Sequence, residues 1–240
     1  MVTFEGVCSV DNEQLEKNKE YALSLGLPTI GSFEAKGPLA VVGGGHSVAM
    51  YKYTLQNWKG TIWAVNGAYK WCKENGIDAV FFSFDPSPVV ASMTEGADRA
   101  ILNIKSAQET YQAMAGKSIW TGDSKDGGST SVGAAIAMGV EAGFQEITLF
   151  GAEASMQPGN THIYANHSGE DDLVVWCNGM HFYTTARMFI GCVEIRNIIK
   201  LCPLVKELSG GLLRAMVEAT VEPKIVGASP KMHELLYVAA

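Results

Sequence analysis

Positive charge is scarce in this chain. Lysine and arginine total 18 against 25 aspartates and glutamates, for a net charge of −7. General nucleic-acid binding needs clustered Lys and Arg on phosphates, so the composition argues against it. A small phosphate-bearing ligand needs only local positive potential and stays open. Cysteine is also sparse. Cys8, Cys72, Cys177, Cys192 and Cys202 are odd in number and form no Cys-x-x-Cys pair. That excludes an evident disulfide framework or zinc knuckle and predicts buried thiols in a reducing compartment. No apolar run is long enough to span a bilayer. The first residues show no basic stretch followed by an apolar one, so no signal peptide is read and a cytoplasmic protein is expected.

Two familiar nucleotide motifs are missing as well. "GGGHSV", starting at Gly43, has Val48 where the dinucleotide fingerprint needs its third glycine. The following strand ends in Asn66, not in the acid that would hold an NAD ribose. "GKS", 116–118, has Tyr111 where a Walker A motif starts with glycine, and a strand is read after it instead of a helix.

What remains is a regular alternation. Asp11 caps a predicted helix that Gly26 and Pro28 stop, and "TIGSFEAKGP" reads as a linker. Residues 1–36 are therefore expected to be a helical appendage and 37–240 the main domain. From Pro38 onward, apolar strands are predicted at 39–42, 61–65, 78–84, 99–104, 118–120 and 146–151. Helical segments lie between them, such as 47–57, 68–76 and the Gly/Ala-rich stretch closing at Gly143. Continuous apolar strands alternating with helices predict an α/β fold, Rossmann-like, with a mostly parallel sheet covered on both faces. Residues 152–180 read as a long loop or lid, 181–202 as a mixture, 203–219 as a helix pair or a broken helix, and the tail from Val221 as irregular.

In an open parallel sheet, ligands bind outside the carboxyl ends of the strands. Four stretches fall there. Gly43, Gly44, Gly45, His46 and Ser47 follow the first strand; three glycines exceed what a turn needs and suggest close approach to phosphate or sugar. The plainer reading is a tight strand-to-helix turn. Gly128, Ser129 and Thr130 lead into a helix whose exposed N–H groups suit an anion, or are simply capped. Asp85, in "FSFDP", is a magnesium or hydroxyl ligand or a turn residue. Glu153, His162, Tyr164 and His167 gather just past a strand end.

Together, "VVGGGHSV", "WAVNGAYKW", "FFSFDPSP", "GGSTSVGAAIAMGVEAGFQEITLFGAEAS" and "THIYAN" resemble, in that order, the 6-hydroxymethylpterin diphosphokinase, MptE-like family. They span about residues 38 to 167. The pattern is similar in outline to bacterial CMP-sialic acid sialyltransferases. The resemblance implies a Rossmann-like, nucleotide-binding group transferase. It would set Gly43–Ser47, Asn66, Ser129 and Thr130 at a nucleotide, Asp85 near phosphate or Mg²⁺, and His162 and Tyr164 over a small-molecule acceptor. The sequence departs from the family at Gly-His-Ser in the first turn and at Glu153, where the family often has Asp.

The activity expected first is pyrophosphoryl transfer from a nucleoside triphosphate to a hydroxyl, with Mg²⁺ as cofactor at Asp85. His162 is expected as general base, Glu153 as a further catalytic group and His167 as the reserve on the acceptor side. The alternatives are glycosyl transfer from a nucleotide-sugar, or a non-enzymatic nucleotide-binding module in phage or surface-glycan assembly.

Overall fold

The computed structural model describes residues 10–123, 128–156 and 172–228. Seven parallel strands form the main sheet: β1 Leu39–Val42, β2 Thr61–Val65, β3 Val80–Ser83, β4 Arg99–Asn103, β5 Ser118–Gly122, β6 Ile147–Phe150 and β9 Val205–Glu207. Their order is β5-β4-β3-β2-β1-β6-β9. The chain builds outward from β1 to β5, then crosses back to add β6 on the other side of β1. The order therefore reverses between β1 and β6, which is where an open α/β sheet presents its ligand crevice.

The apolar runs are continuous because both faces of the sheet are buried. Leu39, Val41, Trp63, Val65, Val80 and Phe82 belong to the core on one face. Their neighbours Ala40, Val42, Ile62, Ala64 and Phe81 belong to the core on the other. Side chains alternate along a strand, so a strand covered on both sides must be apolar at every position. Trp63 stacks on Phe82 with ring centroids 5.4 Å apart, and Phe82 on Phe84 at 5.6 Å. The helix α6, Ser131–Glu141, lies across β1, β2 and β3. Gly139 lets it approach: a Cβ there would stand 2.8 Å from the Leu39 side chain.

The helix α1, Asn12–Ser24, is capped by Asp11, whose side chain accepts from the Gln14 N–H. It packs on α5, Gln108–Ala113. The segment after it is built into the main domain: Ile30 is fully buried, and Phe33 meets Trp63, Trp120 and Phe144 edge-on or tilted. The Thr121 N–H donates to the Pro28 carbonyl at 2.9 Å, so this segment covers the free edge of β5.

Past β6 the structure departs from the sequence reading. The expected loop at 152–180 contains β7, Asp172–Cys177, which pairs antiparallel with β8, Met180–Thr185. The tail expected to be irregular supplies β10, Lys224–Ala228, on the other side of β7. The stretch 181–202 resolves into β8 and α7, Ala186–Leu201, with Thr185 as the N-cap. The expected helix pair after it is instead β9 followed by α8, Gly211–Glu218. Its two glycines, both at positive φ, make the sharp entry into that helix.

Among the described residues no helix is long and apolar enough to cross a membrane. Cys72, Cys177, Cys192 and Cys202 are free thiols, the first three buried. Burial pushes the Cys72 thiol up to about 12, which makes it inert as a nucleophile.

Candidate functional site

The reversal point is built from two strand ends that touch backbone to backbone. The Gly43 N–H donates to the Phe150 carbonyl at 2.7 Å, and the Gly45 N–H to the Gly151 carbonyl at 2.8 Å. A Cβ on Gly43 would lie 2.5 Å from the Gly151 oxygen; one on Gly151, at φ +65°, would lie 2.6 Å from the Gly43 oxygen. A Cβ on Gly45 would run into the Glu153 carboxylate. The first and third glycines of the turn are therefore demanded from inside the protein. Gly44, between them, is half-buried.

Glu153 is only 6% exposed. Its carboxylate accepts from the Ser47 N–H at 2.9 Å and from the Ser47 hydroxyl. Its backbone carbonyl accepts from the Leu213 N–H at the start of α8, and a Cβ on Gly211 would fall 2.5 Å from its own Cβ. The next residue, Ala154, sits at φ +51°. Such a backbone is strained for a residue with a Cβ and holds only where its surroundings over-determine it. Burial raises the Glu153 pKa above the usual carboxylate range, against the stabilising hydrogen bonds from Ser47 and the nearby His46.

Asn66 follows β2 at φ +50°, a conformation Asn tolerates better than most residues. Its N–H donates to the Phe82 carbonyl at 2.9 Å, and its side-chain amide reaches the Ser131 hydroxyl at 3.5 Å. That hydroxyl also accepts from the Phe84 N–H at 3.3 Å, so the start of α6 is tied to the ends of β2 and β3. Two buried side-chain atoms here have no partner among the described residues: His46 Nε2 and Asn66 Oδ1.

The start of α6 carries a second carboxylate. The Ser129 N–H and hydroxyl both donate to Glu194 Oε2, at 2.7 and 2.8 Å. Gly128, at φ +70°, makes room, since a Cβ would stand 2.6 Å from that oxygen. Thr130 is the N-cap and accepts from the Gly133 N–H at 3.0 Å. The sequence reading did not include Glu194. It lies inside α7, and nothing near it in the sequence points to Ser129.

Asp85 forms a local turn: its Oδ1 accepts from the Ser87 N–H at 2.9 Å. Among the described residues no group of three or more His, Cys, Asp or Glu side chains is placed to hold a metal ion. One oxygen of Asp85 is thus taken by its own turn, and no step here is routed through a metal. His162, Tyr164 and His167, with most of the expected lid, lie outside the described residues. The structure thus brings Gly43–Ser47 and Glu153 together, and separately Asn66 with the start of α6. A cavity of about 310 Å³ lies away from both, beside β5 and α1, between Leu27, Ile104, Thr121 and Asp123. Its lining belongs to the seam with the N-terminal segment, so the strand-end geometry is the better guide to a site.

No family model matches the sequence, and no curated protein matches it. One solved structure does match: the MAf glycosyltransferase from Magnetospirillum magneticum AMB-1, with a TM-score of 0.62 and 13% identity. The match covers 94% of this chain and 41% of that one, so this chain spans about two-fifths of that protein's length. At this identity the likeness establishes the fold, a Rossmann-like α/β domain of the kind used by a glycosyltransferase. The narrower resemblance to the pterin diphosphokinase family has no family match behind it.

Proposed function

We propose that this domain binds a nucleotide-sugar at the ends of β1, β2 and β6 and serves glycosyl transfer. The observation that carries the reading is the near-complete overlay of this chain on part of a glycosyltransferase. Buried polar atoms at the ends of β1 and β2 without a partner among the described residues support it. In the reaction, the acceptor hydroxyl loses its proton to a base and attacks the anomeric carbon. The bond from that carbon to the phosphate oxygen breaks, and the nucleotide leaves with the electron pair. Glu153 does not act as that base in this reading. Both its oxygens are engaged by Ser47, and its part is to hold the 45–47 turn in place.

Pyrophosphoryl transfer is the weaker alternative. It relies on positioning a metal-bound triphosphate, and one oxygen of Asp85 already accepts from the Ser87 N–H. The test is a thermal-shift panel of nucleoside triphosphates, nucleotides and nucleotide-sugars, each with and without Mg²⁺. A ligand at a hundred times its Kd stabilises the folded state by about 2.7 kcal/mol. Stabilisation by one nucleotide-sugar and its parent nucleotide is the expected result. Stabilisation by a triphosphate alone, and only with Mg²⁺, would restore the diphosphokinase reading.

A further inference from the structure

Both serine turns at the strand ends are already supplied with an anion. Glu153 takes the N–H and hydroxyl of Ser47; Glu194 takes the N–H and hydroxyl of Ser129. These are the donors a phosphate would use at a glycine-rich turn or a helix start. A phosphate set beside either carboxylate would face a like charge at contact distance. Such a pair repels by about 1 kcal/mol per charge in water and about 4 near a protein surface. Glu153 has no room to withdraw, being buried against Gly45 and Gly211.

Neutral hydrogen-bonding capacity at the strand ends is unused. His46 Nε2 and Asn66 Oδ1 are buried and have no partner among the described residues. They follow β1 and β2, neighbouring strands of the sheet. A buried polar atom without a partner costs about 1–3 kcal/mol. An amide oxygen only accepts, while an imidazole nitrogen donates or accepts according to its tautomer. A hydroxyl does both, so the hydroxyls of a sugar can satisfy either atom. A phosphate, which only accepts, cannot serve the amide oxygen.

We infer that the hydroxyl-bearing, uncharged part of the ligand seats on His46 and Asn66, and that its phosphate is directed away from the two serine turns. This rests on the nucleotide-sugar reading above and refines it. It selects sugar over phosphate as the group that the Gly43–Ser47 turn meets. The hydroxyls could belong to the ribose or to the transferred sugar.

Calorimetric titration of the whole chain separates the cases. The probes are the four ribonucleoside 5′-monophosphates, their 2′,3′-dideoxy counterparts, and CMP-N-acetylneuraminate, UDP-glucose, GDP-mannose and ADP-glucose. The variants are His46→Phe, which keeps a ring, and Asn66→Gly, which keeps the positive φ; melting curves confirm that each is folded, and either alone suffices. The expected result is at least a tenfold loss of affinity in each variant for the probe the parent binds. If the hydroxyls are those of the ribose, the dideoxy probe loses as much in the parent and loses nothing further in the variants. If they belong to the transferred sugar, the variants weaken the nucleotide-sugar and leave the bare nucleotide unchanged. A nucleotide-sugar that binds both variants as tightly as the parent, or a bare nucleotide that does so where no nucleotide-sugar binds, overturns this inference and leaves the nucleotide reading standing, as does an equal loss for the ribose and dideoxy forms of a bare nucleotide. If no probe binds the parent, the nucleotide reading falls and takes the inference with it.

Discussion

The turn at Ser47 and the turn at Ser129 use the same chemistry in different surroundings. In each, one carboxylate collects a serine N–H and the hydroxyl of that serine. Glu153 does so in the interior, with glycines at 45 and 211 giving it space. Glu194 does so from the face of a helix, at a half-buried position. The buried carboxylate is part of the frame, because removing it takes the acceptor from two half-buried donors. The outer one is closer to an ordinary helix-end interaction, which water can replace. A glycine-rich turn and a serine-capped helix therefore do not by themselves announce a phosphate site. An internal acid can already fill them.

Substitutions rank the two turns. Gly43→Ala should be the most damaging, at about 3 kcal/mol or more, because its Cβ meets the Gly151 backbone and not a movable side chain. Urea unfolding measures this, and Gly128→Ala, opposed by the end of the Glu194 side chain, is the control. Equal losses at the two positions would break the comparison. Glu153→Ala should follow at about 2–3 kcal/mol, since it empties a buried site and takes the acceptor from two half-buried Ser47 donors. Thr130→Ala should cost about 1 kcal/mol through loss of the N-cap. Glu194→Ala should cost least, about 0.5 kcal/mol, and less in high salt.

Acidity sharpens the contrast further. The folded-state pKa of Glu153 is raised, so the folded protein binds its proton more tightly than the unfolded chain does. That contribution is complete below the unfolded value and is lost as pH climbs through the folded one. Urea midpoints of the parent, measured from pH 4 upward and compared with those of Glu153→Gln, should therefore show an excess decline in the parent. Parallel curves would mean that Glu153 titrates as an exposed carboxyl.

The first two strands were legible in the sequence to the residue, since Leu39–Val42 and Thr61–Val65 are apolar at almost every position and buried on both faces. The second half was not. β8 is largely exposed, so its sequence carries little apolar pattern, and it passes into α7 at Thr185 with no glycine or proline between them. β9 has only three residues. At the site, the strand-end residues could be chosen from topology alone. The reason for the glycines could not, because it depends on Gly151 and Glu153 arriving from a distant strand. Glu194 was invisible for the same reason.

The pairing of Leu39 with Ile147 also sets a timetable. One edge of β1 receives β2 early in synthesis, but the other edge waits for β6. At about 5–20 residues per second, that wait on the ribosome is roughly 5–20 s. Through it, Val42 and the bare turn after it stay unpaired on one side. The crevice is thus assembled late, by the same long-range closure that completes the sheet. Nascent-chain proteolysis should find the 43–47 turn protected only after β6 has emerged.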